Sequence, residues 1–491
     1  MSQPNVVCLL TDQWRLQALG YAGNTQVQTP NIDRLAGESL NFVHAVSGYS
    51  VCCPWRASFL TGQYPLTHGV IVNDVPMWRV GSRGHRPADT ATLTGNPVGL
   101  GDAFKGAGYR TGYIGKWHVD GRGRRSFIPP ERRLGFDYFK ALECSHEYNQ
   151  SAYYDNDDQT IRFWDGYDVF AQTADAQDFI VGASRRDARC AKPFLLVLSW
   201  GPPHNPYETA PPEYRELYNP PEIELRPNVP PAMADQAREW LAGYYAHCTA
   251  IDKSVGDIVD VLDKRGLADN TVLVFASDHG DMLGSQGEVR KQKPWEESIR
   301  VPFLLRYPAK FGREAREVAP FLNAHDIMPT LLGLCGLPIP DGVDGRDLSA
   351  SVARRVPWTQ TRRHCQVPDG RADAGSPGAL LACFHPFGEW SRPLGGREYR
   401  GLRTARYTYC RTLQGPWLLY DNEADPYQLR NLCRVDTGSP VDQPDHAELL
   451  AELEALLQGE LAAMGDEFLP GMDYIKKWGY PLDDTGTVPI R

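Results

Sequence analysis

Residues 5–13 read NVVCLLTDQ, an apolar run that ends in a threonine, an aspartate and a glutamine. Three further short runs share its apolar character, and such runs suit strands covered on both faces, as in a parallel sheet. They are PFLLVLSW (193–200), TVLVFAS (271–277) and VPFLLRY (301–307). Because helical patterns lie between these runs, the sequence predicts an α/β fold with a large, doubly wound, mostly parallel sheet flanked by helices.

Three of the intervening stretches have clear helical character. TPNIDRLAGES (29–39) offers Thr29 as an N-cap and Pro30 at the first helical position. Residues 233–265 form a long amphipathic stretch, and residues 325–336 predict a helix that ends at a glycine.

The pattern of predicted secondary structure changes after about residue 345. RTARYTYC (403–410) and PWLLYDNE (416–423) predict short antiparallel strands, and residues 446–464 predict an amphipathic helix. We therefore predict an α/β catalytic domain over residues 1–350 and a smaller C-terminal α+β subdomain over residues 351–491.

Composition narrows the class of protein. The chain has 491 residues and a formal net charge of −10 at pH 7, which argues against a partner such as nucleic acid or an anionic membrane. The N-terminus has neither a basic segment nor a small-residue cleavage site, and no apolar run approaches the length of a membrane span. We expect a cytoplasmic protein as the sequence is written, or a periplasmic or secreted one if a leader was removed.

The chain has 11 cysteines, an odd number without disulfide-framework spacing. Nine lie far apart and are interpreted as mostly buried free thiols in a reducing compartment: Cys8, Cys144, Cys190, Cys248, Cys335, Cys365, Cys383, Cys410 and Cys433. Cys52 and Cys53 form the clustered pair, at the start of a stretch that looks like the first turns of a helix.

Polar residues follow three of the apolar runs and a short strand that is predicted within GYRTGYIGKWHVDG (108–121), where the carboxyl ends of parallel strands meet at one edge of the sheet. They are Asp12 and Gln13, Lys116 and His118, His204, and Asp278 with His279. The oxygen ligands among them suit a hard divalent cation such as calcium. A structural zinc site is not indicated, because the sequence has no CxxC pair and no HExxH motif.

The stretch CCPWRASFLTG (52–62) resembles the signature C-x-P-S-R-A-x-x-L-T-G of the type I sulfatases, in the alkaline phosphatase superfamily. Cys52 matches the cysteine that a separate maturation enzyme oxidises to formylglycine in that family. Cys53 occupies the variable slot, Arg56 matches the signature arginine, and Trp55 departs from the usual serine.

The resemblance continues along the chain. TDQW and SDHGD are similar to the two metal motifs of the family, and TPNIDRLAGES to its T-P-N-x-D-x-L helix. GKWH matches its Lys-x-His element. KQKPWEESIRVP and LYDNEADPYQLRNL look like its K-x-x-x-[YW]-E-E-x-x-R-V-P and C-terminal signatures.

The resemblance implies a role for each matching residue. Cys52 would provide the formylglycine nucleophile, which Arg56 would hold. Calcium would be bound by Asp12, Gln13, Asp278, His279 and the modified Cys52. Sulfate oxygens would be held by Lys116 and Lys291, with Lys293 as the alternative to Lys291. His118 would serve the formylglycine hydroxyls, and His204 would lie against the ester oxygen.

The implied function is hydrolysis of a sulfate monoester. One hydroxyl of the hydrated aldehyde attacks sulfur, and the second allows sulfate to leave. The aromatic and acidic insertion at residues 145–170 favours a sulfated carbohydrate as the substrate. Two alternatives stay open: a phosphonate monoester or phosphodiester hydrolase of the same superfamily, and a non-catalytic binder of a sulfated ligand with unmodified Cys52. The sequence also leaves a homo-oligomer open.

Overall fold

The computed structural model describes residues 3–77, 98–183, 192–353, 376–433, 444–483 and 488. Its strands are β1 (Asn5–Asp12), β2 (Leu40–Phe42), β3 (Arg110–Lys116), β4 (Tyr138–Leu142), β5 (Ala152–Asp155), β6 (Asp158–Phe163), β7 (Phe194–Pro203), β8 (Thr271–Ser277), β9 (Phe303–Arg306), β10 (Arg316–Val318), β11 (Gly378–Cys383), β12 (Tyr399–Thr404), β13 (Tyr407–Thr412) and β14 (Gly415–Asp421).

Its α-helices are α1 (Pro30–Ala36), α2 (Cys52–Thr61), α3 (Pro65–His68), α4 (Leu100–Gly106), α5 (Asp168–Ala183), α6 (Pro212–Arg215), α7 (Ala234–Lys264), α8 (Glu296–Ile299), α9 (Pro308–Phe311), α10 (Ala324–Cys335), α11 (Ser349–Ala353), α12 (Pro444–Ala463) and α13 (Gly471–Lys477). In the described part of the chain, no helix combines the length and apolarity that a membrane crossing requires.

In the part of the chain that the structure describes, ten strands form a large mixed sheet in the order β10-β2-β9-β8-β1-β7-β3-β4-β5-β6. At its centre, β1 is parallel to β7 and β8, and β3 is parallel to β7 and β4. The four predicted apolar runs form β1, β7, β8 and β9, so the mostly parallel α/β fold is confirmed. The parallel setting is wrong for β9, which pairs antiparallel with β8. The α-helix between β8 and β9, α8, has only four residues and is too short to carry the chain back along the sheet, so the chain returns from the end at which β8 finishes.

Alternate residues of β1 face two hydrophobic cores. Val6, Cys8 and Leu10 pack with residues of α2, α4 and α10 on one side of the sheet. Val7 and Leu9 pack with residues of α1, α5 and α7 on the other side. Both faces of the central strands are therefore covered, as the continuous apolar runs predict.

The predicted helices are also present, with one local correction. α7 and α10 match the predicted stretches, and α10 ends at Gly336 with φ 67°. Thr29 precedes α1 as predicted, but its hydroxyl makes no capping bond to the helix. Instead the hydroxyl accepts from the amide of Gly20 at 2.9 Å and donates to Asp33 at 3.1 Å, because the preceding loop supplies a donor that competes with the helix.

The C-terminal part of the chain has the predicted antiparallel sheet, in the order β11-β12-β13-β14. RTARYTYC spans the turn between β12 and β13, and the second predicted strand is β14. α12 covers the predicted helix and packs Leu453, Leu457 and Leu461 into the core that α2 shares. The domain boundary at residue 350 stays a prediction.

Of the nine scattered cysteines, seven are buried free thiols, and Cys190 and Cys365 lie outside the described residues.

Candidate active site

The carboxyl ends of four central strands bring the predicted residues together. β1 ends at Asp12, β3 ends at Lys116, His204 follows β7, and Asp278 follows β8. All four side chains are buried. Asp12 Oδ2 is 2.6 Å from Lys116 Nζ. These residues are more than 100 positions apart and meet because their strands, β1 and β3, end at the same edge of the sheet on either side of β7.

Cys52 lies at the first position of α2, a ten-residue helix whose N-terminal dipole favours negative charge there. Its Sγ is 3.1 Å from both His279 Nε2 and Lys291 Nζ, and 3.6 Å from Asp12 Oδ1. Burial, together with the charge of Asp12, would raise the pKa of this thiol. The cations Lys116 and Lys291 outweigh both and lower the pKa well below its usual range.

Four residues of this group can hold a metal ion. Ligand atoms of Asp12, Cys52, Asp278 and His279 all lie within 4.8 Å of one another. His279 Nδ1 donates to the carbonyl oxygen of Gly280 at 2.9 Å, which leaves the lone pair of Nε2 directed at the group. Two carboxylates and an imidazole nitrogen fit one divalent cation, so the predicted donor set is compatible with the structure.

Gln13 adds an amide oxygen to the same place. Its Oε1 accepts from Lys291 Nζ at 3.0 Å, and its Nε2 donates to Asp281 Oδ2 at 2.6 Å. Asp281 therefore orients Gln13. The sequence motif SDHGD contains Asp281, but motif reasoning assigned it no role because its contact with Gln13 spans 268 positions.

Arg56 joins the two carboxylates that would flank the metal. Its guanidinium donates to Asp12 Oδ2 and Asp278 Oδ2, each at 3.2 Å. It also donates to Ser199 Oγ at 2.7 Å and to the carbonyl of Lys116 at 3.0 Å. Although burial raises the pKa of Asp12, Lys116 and the other cations lower it well below its usual range, so the carboxylate is ionised.

His204 and Lys291 form a pair at the edge of the site. His204 Nδ1 donates to the carbonyl of Asn205 at 2.8 Å, and Lys291 Nζ donates to His204 Nε2 at 2.8 Å. Burial and Lys291 lower the pKa of His204 well below 6.5. The imidazole is therefore neutral in the free site, and its Nε2 is an acceptor.

The two remaining predicted residues, His118 and Lys293, have other hydrogen-bond partners. His118 lies beside the group, with Nε2 3.3 Å from Asp74 Oδ1, and no hydrogen bond joins it to Cys52 among the described residues. Lys293 Nζ donates to the backbone oxygens of Val289 and Lys291. Lys291, rather than Lys293, therefore reaches Cys52.

Comparisons with known proteins identify the family of the chain. The family model described as Sulfatase matches residues 4–337. The chain belongs to the sulfatase family. It is 42% identical over 482 residues to the ulvan-active sulfatase of Formosa agariphila, across 98% of this chain and 85% of that protein.

Solved structures extend the likeness to the fold. A sulfatase structure from work on glycosaminoglycan metabolism by Bacteroides thetaiotaomicron matches with a TM-score of 0.77 and 28% identity, over 100% of both chains. The phosphonate monoester hydrolase of Agrobacterium radiobacter matches with a TM-score of 0.67 and 22% identity, over 99% of this chain and 100% of that one. The second match shows a shared fold only.

The sulfatase signature departs from its usual pattern at Trp55, and the structure gives that residue a packing role. Trp55 is buried and stacks on Phe59 with ring centroids 5.5 Å apart. Its side chain belongs to the hydrophobic core between α2 and the sheet.

Proposed function

We propose that this sulfatase hydrolyses a sulfate monoester of a carbohydrate, with Cys52 converted to formylglycine and one calcium ion bound. The observation that carries the proposal is the position of Cys52 at the N-terminus of α2. There its Sγ lies within 3.6 Å of Asp12, His279 and Lys291. An anion that is attacked at this point would meet a helix dipole and several buried cations.

The modified residue would supply a hydrated aldehyde as the nucleophile, and calcium would neutralise charge at the transferring group. The side chains of this protein would do the rest. Lys116 and Lys291 are positioned to bind sulfate oxygens, and Arg56 holds the carboxylates of Asp12 and Asp278 in place. Preorganised charge of this kind is usually the largest contribution to catalysis.

A leaving alkoxide needs a proton. The hydrogen bond between Lys291 Nζ and His204 Nε2 holds one proton between two groups at the edge of the site. Transfer of this proton from Lys291 through His204 to the ester oxygen would complete the cleavage of the oxygen–sulfur bond. His118 is paired with Asp74 and makes no hydrogen bond to Cys52 among the described residues, so its role at the formylglycine hydroxyls stays a prediction.

The carbohydrate part of the proposal is supported by two relatives whose names refer to polysaccharides, ulvan and glycosaminoglycans. The insertion at residues 145–170 adds aromatic side chains next to the site. Tyr148 from this insertion donates to the carbonyl of Asn205, the residue after His204.

The test is to produce the full chain together with a formylglycine-generating maturation enzyme and to weigh the intact protein. Conversion of the thiol to the aldehyde, which covalent catalysis requires, lowers the mass by about 18 Da. The matured protein is then assayed on sulfated mono- and oligosaccharides, 4-nitrophenyl sulfate and phenylphosphonate esters, with Cys52→Ala as the control. We expect hydrolysis of a sulfated sugar by the matured protein and none by Cys52→Ala.

Three outcomes would overturn the proposal. Equal rates for the matured protein and Cys52→Ala would remove Cys52 as the nucleophile. Faster hydrolysis of phenylphosphonate esters than of every sulfate ester would favour the phosphonate hydrolase alternative, which the charged pocket can also accommodate. An unchanged mass, with tight binding of a sulfated sugar but no turnover, would favour a binding protein.

A further inference from the structure

The imidazole ring of His146 lies flat against that of His204. Their centroids are 4.4 Å apart and their planes differ by 12°. His146 follows β4 in the insertion at residues 145–170, and its side chain is half-buried. One face of its ring therefore covers His204, while part of the side chain reaches the surface of the site.

The remaining contacts of His204 show what this stacking adds. Its two nitrogens are held by the carbonyl of Asn205 and by Lys291 Nζ, each at 2.8 Å. Hydrogen bonds to imidazole nitrogens form along lone pairs and N–H bonds that lie in the ring plane, so these two contacts fix the nitrogens but resist rotation about the line between them only weakly. The face contact with His146 opposes that rotation.

His146 is itself held in place. Cys144 Sγ is 3.6 Å from His146 Nε2, and the ring of Tyr148 meets that of His146 edge-on with centroids 6.4 Å apart. The hydroxyl of Tyr148 donates at 3.2 Å to the same Asn205 carbonyl that binds His204 Nδ1. One loop therefore supports both the ring face of His204 and the acceptor of its Nδ1.

We propose that His146 is a positioning residue, which holds the His204 imidazole in register with the leaving-group oxygen and forms the wall of the site beside the leaving group. This inference rests on the proposed function, in which His204 delivers the proton to that oxygen. Misplacement of a proton donor by a fraction of an ångström lowers the rate even when every catalytic group is present.

Leaving-group dependence is the readout that separates positioning from general damage. 4-Nitrophenyl sulfate releases a stabilised phenolate that needs little protonation. Phenyl sulfate releases a phenolate whose conjugate acid has a pKa of about 10, as for tyrosine, and it depends on a proton donor. We would measure kcat/KM of the matured full-length protein on both esters for His146→Ala, His146→Phe and His204→Ala.

A matched control is Tyr153→Ala. Tyr153 lies in the same insertion and stacks on Trp164, with centroids 3.9 Å apart and planes at 17°. The variant removes a stacked ring from this segment without touching His204. Thermal unfolding of each variant shows how far the fold is disturbed.

We expect His204→Ala to lower kcat/KM on phenyl sulfate by about 100-fold, and much less on 4-nitrophenyl sulfate. His146→Ala should show the same asymmetry with a loss of about tenfold on phenyl sulfate. His146→Phe keeps a flat ring and should restore most of the activity. Tyr153→Ala should change both substrates alike.

Equal losses on the two esters for His146→Ala, or no rescue by phenylalanine, would overturn the positioning role. Absence of any asymmetry in His204→Ala would remove the proton-transfer role of His204, and the inference would fall with it. Both results differ from a failure of the proposed function itself, in which the matured parent protein hydrolyses no sulfate ester, sulfated sugars included.

Discussion

The side-chain amide of Gln292 makes two hydrogen bonds with the backbone of Phe387. Nε2 donates to the carbonyl at 2.9 Å, and Oε1 accepts from the amide nitrogen at 3.3 Å. The backbone of Gln292 is bound as well, to the carbonyl of Ser50 at 3.0 Å and to the hydroxyl of Tyr399 at 3.1 Å. Gln292 has φ 73°, an unfavourable conformation that these contacts stabilise. The C-terminal part of the chain therefore holds the loop that carries Lys291.

Gln292→Leu should consequently reduce activity through Lys291. We expect kcat/KM for 4-nitrophenyl sulfate to fall about tenfold, because Lys291 Nζ loses its defined position next to Cys52 and His204. In a Lys291→Ala background the same substitution should lower kcat/KM by less than about twofold, since the effects of residues that act as one unit are not additive. Steady-state kinetics of the two single variants and the double variant give the coupling.

Gln428→Leu is the matched control for this prediction. Gln428 is also buried, has φ 53°, and links Glu296 of α8 to Asn422 through its amide. Its replacement should lower the unfolding temperature and leave kcat/KM nearly unchanged. Equal losses from Gln292→Leu with and without Lys291 would contradict the coupling.

Metal affinity should depend on Asp281. Its Oδ2 accepts from Gln13 Nε2 at 2.6 Å, and its Oδ1 accepts from the amide nitrogen of Arg290 at 3.0 Å. Asp281→Asn replaces one acceptor by a donor, so one of these two contacts is lost. We expect the apparent affinity for calcium to fall about tenfold, as is typical when a residue that orients a metal ligand is changed.

The measurement is chelation of the matured protein followed by titration with calcium, with activity and thermal unfolding as readouts. Parallel titrations with magnesium and manganese show which cation the nitrogen ligand of His279 favours. Asp252→Asn is the control, because the buried Asp252 carboxylate binds the backbone of Ile32 at 2.7 Å, at the start of α1. Unaltered calcium affinity in Asp281→Asn would show that calcium binding does not depend on the hydrogen bond between Asp281 and Gln13.

The positions of Asp12, Lys116, His204 and Asp278 could be predicted from the sequence, because each ends or follows a short apolar run and parallel strands deliver such residues to one edge. The direction of β9 could not be predicted in the same way. Its run is as apolar as the others, and β9 pairs antiparallel because the connection before it holds no α-helix longer than the four residues of α8.

Residues that support the site were missed for a common reason. Phe387 and Tyr399, which hold Gln292, lie 95 and 107 positions away from it, and the partners of His146 include a ring 58 positions along the chain. Such contacts leave no local period or spacing. His118 illustrates the opposite case: it is two residues from Lys116, but its φ of 60° directs it to Asp74 instead of to Cys52.

Arg56 should stabilise the fold as well as the site. Its guanidinium is buried and bridges Asp12 and Asp278. Arg56→Lys keeps the charge but cannot reproduce the planar fork, so we expect the free energy of unfolding to fall by about 2–4 kcal/mol and activity to fall by at least about 100-fold. Arg400→Lys, which disrupts the buried pair with Asp466, should match the loss of stability and retain activity. Comparable activity losses in both variants would assign the effect to unfolding alone.

Asp168 at the start of α5 should make the stability of the protein depend on pH. Burial raises the pKa of this carboxyl from 3.8 to about 7, and its Oδ1 has no hydrogen-bond partner in the described part of the chain. Between pH 4 and pH 7 the unfolded chain releases the proton that the folded protein retains. Raising the pH through this window therefore lowers the free energy of unfolding.

Asp168→Asn removes this titration and supplies an amide donor next to Gln172, whose Oε1 also lacks a partner among the described residues. We compare the free energy of unfolding of the variant with that of the parent protein. This difference should rise in favour of the variant by about 2–4 kcal/mol from pH 4.5 to pH 8, because of the shift of the carboxyl pKa. Urea unfolding at both pH values measures the difference. Asp178 is an exposed acid on the same helix. The free energy of unfolding of Asp178→Asn should differ from that of the parent protein by the same amount at both pH values. A constant difference for Asp168→Asn across this range would mean that the buried carboxyl is ionised at no cost, against the direction that its burial dictates.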